Sequence, residues 1–266
     1  METKEYKEKY FDEILKKIQY KINEKEFNKN LEKFQKIDLK YYDMTITQDK
    51  IRDILKFYQE KEVYNLPNKE YIVVLDGNPN EVFSLCIEAI RYNINLKICI
   101  DDFCVAQNTF LVDLVNNIIE KKINISLLNL VKDDELIEYS KNVYKTIFIS
   151  TSQRYEELKE KIKNSVFYPY NLIDIFYEDE KFEDVIDYIY KYSEVNHYQI
   201  DIYEDLNFSD AIRLINKDSY KFISIILTDD KEHSKIFKEK IDSKYVFVNT
   251  NPFDKVKFEL DMNLMK

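Results

Sequence analysis

Hydrophobic positions along this chain follow two periods, and the change from one to the other divides it. Over the first quarter Phe11, Ile14, Leu15, Ile18 and Ile22 recur at helical spacing, and Phe27, Leu31 and Phe34 continue the pattern. A further helix follows, with Thr47 as its N-cap and Ile51, Ile54, Leu55 and Tyr58 on one face. Asn65-Leu66-Pro67-Asn68 breaks the pattern and marks a boundary. From there, short apolar runs at 71–75, 96–100, 123–130 and 145–150 alternate with helical stretches at 82–92, 108–121 and 133–139. After Asn164 the alternation resumes, with strands expected at 166–168, 172–177, 199–203, 222–227 and 245–248. Helices at 182–192, 209–215 and 231–241 separate them. Continuous apolar strands between amphipathic helices predict a parallel sheet covered on both faces. The expected class is therefore α/β: a doubly wound, mostly parallel, Rossmann-like sheet with N-terminal helices and a smaller C-terminal α/β part.

Composition narrows the chemistry. The chain has 266 residues, which suffices for one or two domains, and 45% of them are hydrophobic, which excludes a disordered chain. Its single glycine compares with roughly 19 in an average chain of this size. Walker loops and G-x-G-x-x-G fingerprints, which need glycine where backbone approaches phosphate, are thereby excluded. A net charge of −10 argues against a nucleic-acid binder, since the lysines alternate with glutamate as in Lys4-Glu5-Tyr6-Lys7-Glu8-Lys9. No apolar run approaches a membrane span, and Met1-Glu2-Thr3-Lys4-Glu5 does not read as a secretory signal. Cys86, Cys99 and Cys104 are odd in number and lack a Cys-x-x-Cys pair, so a reducing, cytoplasmic location is expected.

Parallel α/β sheets bind ligands at the carboxyl ends of their strands, which selects the candidate residues. Asp101, with Asp102, ends the second strand of the series. An acid there binds adenosine ribose in a dinucleotide fold; otherwise it is a solvated loop acid or a helix cap. Gly77 and Asn78 follow the first strand in the same way. Ser150-Thr151-Ser152 can offer hydroxyl and N–H groups to an anion, or Ser152 can simply cap a helix over 153–162. Cys86 and Cys99 read as core, and Cys104 as structural, because Asp101 and Asp102 beside it disfavour a thiolate. His197 and His233 have no metal-ligand spacing, and His233 reads as exposed on its helix. Tyr168, Tyr170, Tyr177, Tyr188, Tyr190 and Tyr192 read as half-buried packing or as a face for a protein partner.

The segment Glu204-Asp205-Leu206-Asn207-Phe208-Ser209, with the helix Asp210-Ala211-Ile212-Arg213-Leu214-Ile215-Asn216, resembles the aldehyde dehydrogenase superfamily. So do Ile225-Ile226-Leu227-Thr228-Asp229-Asp230 and the late Val246-Phe247-Val248-Asn249, in the same order. Gly77-Asn78-Pro79-Asn80, the helix to Ala89-Ile90 and Ile147-Phe148-Ile149-Ser150-Thr151-Ser152 resemble that family's nucleotide-binding domain, gamma-glutamyl phosphate reductases especially. The resemblance implies N-terminal helices over 1–66, a Rossmann-like domain over 67–195 and a remnant of the catalytic domain over 196–266. The resemblance points to NAD or NADP with no phosphate-binding motif to support either, so the cofactor is left open; Gly77, Asn78, Asp101, Ser150 and Ser152 are the candidate cofactor-binding residues.

The departures bear on function. No cysteine follows Cys104, so the family's nucleophilic thiol has no counterpart between Glu178 and Asp210. The Glu-Leu-Gly-Gly segment that carries a general base in the family has no glycine-bearing match. The expected function is thus a catalytically inactive aldehyde dehydrogenase-like binding or assembly module, working with a protein partner or as a homo-oligomer. The alternative is an NAD(P)- or nucleotide-binding oxidoreductase with altered site chemistry. A third reading makes residues 1–60 a docking arm, against helices packed on the domain's own body. A terminal edge strand is expected at 256–260.

Overall fold

The computed structural model describes residues 4–22, 25–38, 46–60, 66, 68–75, 78–101, 104–119, 123–129, 131–149, 152–168, 172–196, 199–217, 222–250 and 252. The expected strand at 256–260 and the tyrosine at position 170 lie outside them. The described residues form two compact units, one running to Phe148 and resuming at Gln153–Phe167, the other holding most of the chain from Tyr168 onward.

The first unit opens with three helices, α1 (Lys4–Ile22), α2 (Lys25–Ile37) and α3 (Gln48–Gln59). Their apolar stripes are buried as the spacing predicts: Phe11, Ile14, Leu15, Ile18 and Ile22 from α1, Ile51, Ile54, Leu55 and Tyr58 from α3. Thr47 caps α3, its hydroxyl accepting from the Lys50 N–H at 3.2 Å. Five strands follow: β1 (Glu70–Leu75), β2 (Asn95–Ile100), β3 (Ile125–Asn129), β4 (Lys145–Ile149) and β5 (Ser165–Phe167). They lie in the order β3-β2-β1-β4-β5, with parallel pairing of β1 with β2, β2 with β3 and β4 with β5. The central strand β1 is buried on both faces from Tyr71 to Leu75, which is why its apolar run is unbroken. Between the strands run α4 (Pro79–Tyr92), α5 (Val105–Ile119), α6 (Asp133–Ser140) and α7 (Ser152–Leu158).

The N-terminal helices pack on this unit. Phe27 and Phe34 of α2 meet Phe110 of α5 at ring distances of 5.5 and 5.0 Å. At the end of α2, Asp38 accepts hydrogen bonds from the Ala106 and Gln107 N–H groups at 3.3 and 2.9 Å. That carboxylate caps α5 from outside its own element, so the helix starts at Val105 and not at the expected 108. The described helices of residues 1–60 are therefore packed on their own unit, as the alternative to a docking arm expected.

The second unit is a four-stranded sheet of β6 (Leu172–Tyr177), β7 (Gln199–Tyr203), β8 (Ile223–Leu227) and β9 (Tyr245–Val248). The order is β7-β6-β8-β9, parallel throughout. Helices α8 (Glu183–Asn196), α9 (Phe208–Lys217) and α10 (Lys231–Lys240) connect them. Phe176 and Ile226 of the sheet pack with Ala211, Ile215, Phe237 and Ile241 as this unit's core. Both sheets bear out the α/β, doubly wound parallel reading.

Candidate functional site

In a sheet of order β3-β2-β1-β4-β5 the chain reverses direction between β1 and β4, and the carboxyl edge there is where ligands bind. Asn78 sits at that edge, 8% exposed, and caps α4: its side chain accepts from the Asn80 N–H at 2.9 Å. Pro79 follows at the first helical position, where a missing N–H costs nothing. Asn78 is therefore used locally. Gly77 and Ser150 lie outside the described residues, and Ser152 is the first residue of α7.

Asp101, at the end of β2, is engaged by a residue the sequence reading did not single out. The Arg154 guanidinium reaches its carboxylate at 3.2 Å, the Val131 carbonyl at 3.4 Å and the Asp133 carboxylate at 3.4 Å. Arg154 comes from α7, which follows β4, and β1 lies between β4 and β2. The bridge thus spans the carboxyl edge of β1, tying the ends of β2 and β3 to α7. Tyr155 beside it stacks on Phe167 at 5.2 Å and leans on Phe148 at 5.5 Å, which seats α7 against the sheet. A ribose hydroxyl would have to compete with a guanidinium for Asp101. The only local signal was a basic residue near Ser152, and local sequence does not say where its side chain lands.

The three thiols are all buried and free of disulfides. Burial pushes Cys99 up to about 12 even though the Arg154 and Lys97 cations pull the other way. Burial, with Asp38 nearby, likewise pushes Cys104 up to about 12, and burial raises Cys86 still further. All three remain protonated thiols near neutral pH, as the core and structural readings expected.

In the second unit the switch point lies between β6 and β8, where side chains meet that sequence reading left apart. The Glu178 carboxylate lies 2.6 Å from His233 Nδ1 and also accepts from the Thr228 hydroxyl. His233 stacks on Phe208, ring centroids 3.9 Å apart and planes within 11°. This corrects the expectation that His233 is simply exposed: two elements hold its ring. Asp230 caps α10 by accepting from the Glu232 and His233 N–H groups at 2.7 and 3.0 Å. Those hydrogen bonds hold the Asp230 carboxyl below its ordinary value. Asn249, at φ 49°, donates to the Thr228 carbonyl and accepts from its N–H at 2.7 and 2.8 Å. Deeper in the sheet, buried Asp174 accepts from the Tyr203 hydroxyl at 3.1 Å and from Ser224 at 3.4 Å, which compensates its burial.

The tyrosines divide. Tyr168 is buried, Tyr177 donates to Glu204 at 2.9 Å, and Tyr188 and Tyr190 of α8 are about half exposed. Among the described residues no group of three or more His, Cys, Asp or Glu side chains is arranged to hold a metal ion. No described helix is long and apolar enough to cross a membrane.

No protein-family model matches the sequence, and no curated protein matches it. Solved structures do match in architecture. Gamma-glutamyl phosphate reductase of Thermotoga maritima aligns with a TM-score of 0.59 at 12% identity, covering 92% of this chain and 83% of that one. Betaine aldehyde dehydrogenase of Staphylococcus aureus, a variant in complex with NAD+, gives 0.59 at 13%, covering 93% and 77%. Aldehyde dehydrogenase 21 of Physcomitrella patens gives 0.58 at 10%, covering 95% and 79%. At these identities the likeness is one of architecture, in agreement with the order of motifs read from the sequence. The chain carries the aldehyde dehydrogenase superfamily fold.

Proposed function

We propose that this protein is a catalytically inactive aldehyde dehydrogenase-like module whose work is binding or assembly. The observation that carries the reading is the fate of its thiols. All three lie in the first unit, before Phe148, and burial keeps each of them protonated. Covalent aldehyde chemistry needs a thiolate that can reach the carbonyl carbon, and a protonated thiol sealed in the core does not attack. The Arg154 bridge supports the same reading, since it engages the Asp101 carboxylate at the end of β2. Free, buried cysteines fit a cytoplasmic setting, and the half-exposed Tyr188 and Tyr190 fit contact with a protein partner or a second copy.

The test is a spectrophotometric assay of the full chain with NAD+ or NADP+ and a panel of aldehydes, and in reverse with NADPH and an acyl phosphate. We expect rates equal to a no-enzyme control. Turnover above that control removes the proposal.

The second reading, a nucleotide-binding oxidoreductase, rests on Asp101 at the end of β2 in a β3-β2-β1-β4-β5 sheet. A thermal-shift titration with NAD(H) and NADP(H) separates the two. A saturable shift that is lost in Asp101→Ala or Ser152→Ala replaces the leading reading. No shift with either dinucleotide sinks the second.

A further inference from the structure

At the amino-terminal edge of the second sheet, three aromatic rings stand around one ammonium. Phe222 directly precedes β8, Lys244 directly precedes β9, Tyr245 opens β9, and Tyr168 lies upstream of β6. The strands are parallel, with Ile223 opposite both Ile173 and Tyr245, so their starts come together. The Tyr245 N–H donates to the Phe222 carbonyl at 2.9 Å, which sets those two residues side by side. The Phe222 ring meets Tyr168 at 5.9 Å and Tyr245 at 5.4 Å, edge to face in both cases.

The Lys244 ammonium lies over all three rings. Its Nζ is 5.3 Å from the Phe222 centroid, 5.5 Å from that of Tyr245 and 5.8 Å from that of Tyr168. Each ring face is negative and attracts a cation at such distances. Nζ also donates to the Tyr168 hydroxyl at 3.3 Å. Among the described residues no carboxylate pairs with Lys244, although the chain carries 50 acids. Tyr168 and Phe222 are buried, whereas Lys244 is exposed. The occupant is thus a surface side chain with its head laid on buried rings. Rotation about its four-carbon stem lifts that head away without any change in the strands.

We propose that this trio of rings is a recognition site for a methylated ammonium group, filled by Lys244 when no ligand is bound. The occupant shows the class of ligand: a cation on an alkyl stem, held by ring faces in place of an acid. A free primary ammonium does not displace Lys244, because a tethered group competes at an effective concentration on the order of millimolar. It also loses the same hydration on entry. A trimethylated ammonium has the advantage: it is more weakly hydrated, and its methyl groups meet the ring faces directly, as in aromatic cages for choline and methyl-lysine. Such a group occurs free, as in choline, or on a protein, as in trimethylated lysine. The rings stand at the opposite edge of the sheet from Glu178 and His233, so the site does not depend on how that carboxyl edge is used.

The experiment is calorimetry and thermal shift on the full chain, wild type and Lys244→Ala, at constant ionic strength. The probes are choline, its uncharged carbon analogue dimethylbutanol, and a short peptide with one lysine, trimethylated or unmodified. We expect saturable binding of choline or of the trimethylated peptide, about tenfold or more tighter in Lys244→Ala than in wild type. The tighter of the two identifies the source of the group. Dimethylbutanol should not bind, and the unmodified peptide should bind about tenfold more weakly than the trimethylated one. In the Lys244→Ala background, Tyr168→Phe keeps the ring and should keep binding, whereas Tyr245→Leu should abolish it. Absence of saturable binding of either methylated ammonium to Lys244→Ala overturns the proposal. So does dimethylbutanol binding as tightly as choline, or an affinity unchanged by removal of the Lys244 side chain.

Discussion

At the scale of single residues, the chain's reactive-looking groups are mostly committed to neighbours. Cys99 and Cys104 illustrate the point. Each thiol stays protonated to about 12 in the folded protein, so its folded value lies above its unfolded one. The stability linked to that difference is complete below the unfolded thiol value and is lost as pH rises toward the folded one. Iodoacetamide at pH 8 should therefore label the native chain very slowly and label all three thiols once denaturant is added. Mass spectrometry reads the count, and rapid native labelling of any cysteine would contradict the burial argument. The sequence disclosed these thiols as core residues because Cys86 falls on an apolar helix face and Cys99 within an apolar strand. It did not disclose Arg154, whose partners Asp101 and Asp133 lie 53 and 21 positions away.

At the scale of elements, local signals located most helices and strands, and caps decided their ends. Thr47 caps α3 as expected, and Asp230 does the same for α10. Because the Glu232 and His233 N–H groups stabilise the charged Asp230, its folded value lies below the ordinary 3.8. Its contribution is present above the unfolded value and disappears as pH falls through the lower folded value. Asp230→Asn retains a capping oxygen but no charge, so the variant's stability should depend less on pH below about pH 4. Urea denaturation of both proteins across pH 3 to 6 checks this; identical pH profiles would refute the assignment. The other device at this scale is the His233–Phe208 stack, which joins α10 to the start of α9. Periodicity placed both helices but could not show that the two rings meet.

At the scale of each folded unit, the N-terminal helices act as a layer of the first unit. Asp38 supplies the carboxylate that α5 lacks at its own start, from 68 and 69 positions upstream of the N–H groups it receives. Asp38→Ala removes that cap and leaves buried N–H groups unpaired, which should lower stability by about 1–2 kcal/mol. Amide exchange should quicken first at Ala106 and Gln107. Unchanged exchange there would show that α5 is held by its apolar face alone. The parallel α/β class was legible because a strand buried on both faces must be apolar throughout, as β1 is. The candidate sites were legible only by position, since the carboxyl ends of strands are known once the strands are.

What the sequence determined by itself was periodicity and its local consequences. These were the alternation of strands and helices, the Thr47 cap, the apolar homes of Cys86 and Cys99, and the order of motifs behind the aldehyde dehydrogenase fold. Tertiary structure alone decided which distant side chains meet: Asp38 with the start of α5, Arg154 with Asp101, and Glu178 with His233 across 55 positions. The physical reason is range. A helix or strand records its burial in neighbours a few residues away, whereas an ion pair or a cap in trans depends on how whole elements pack. No short stretch of chain carries that information.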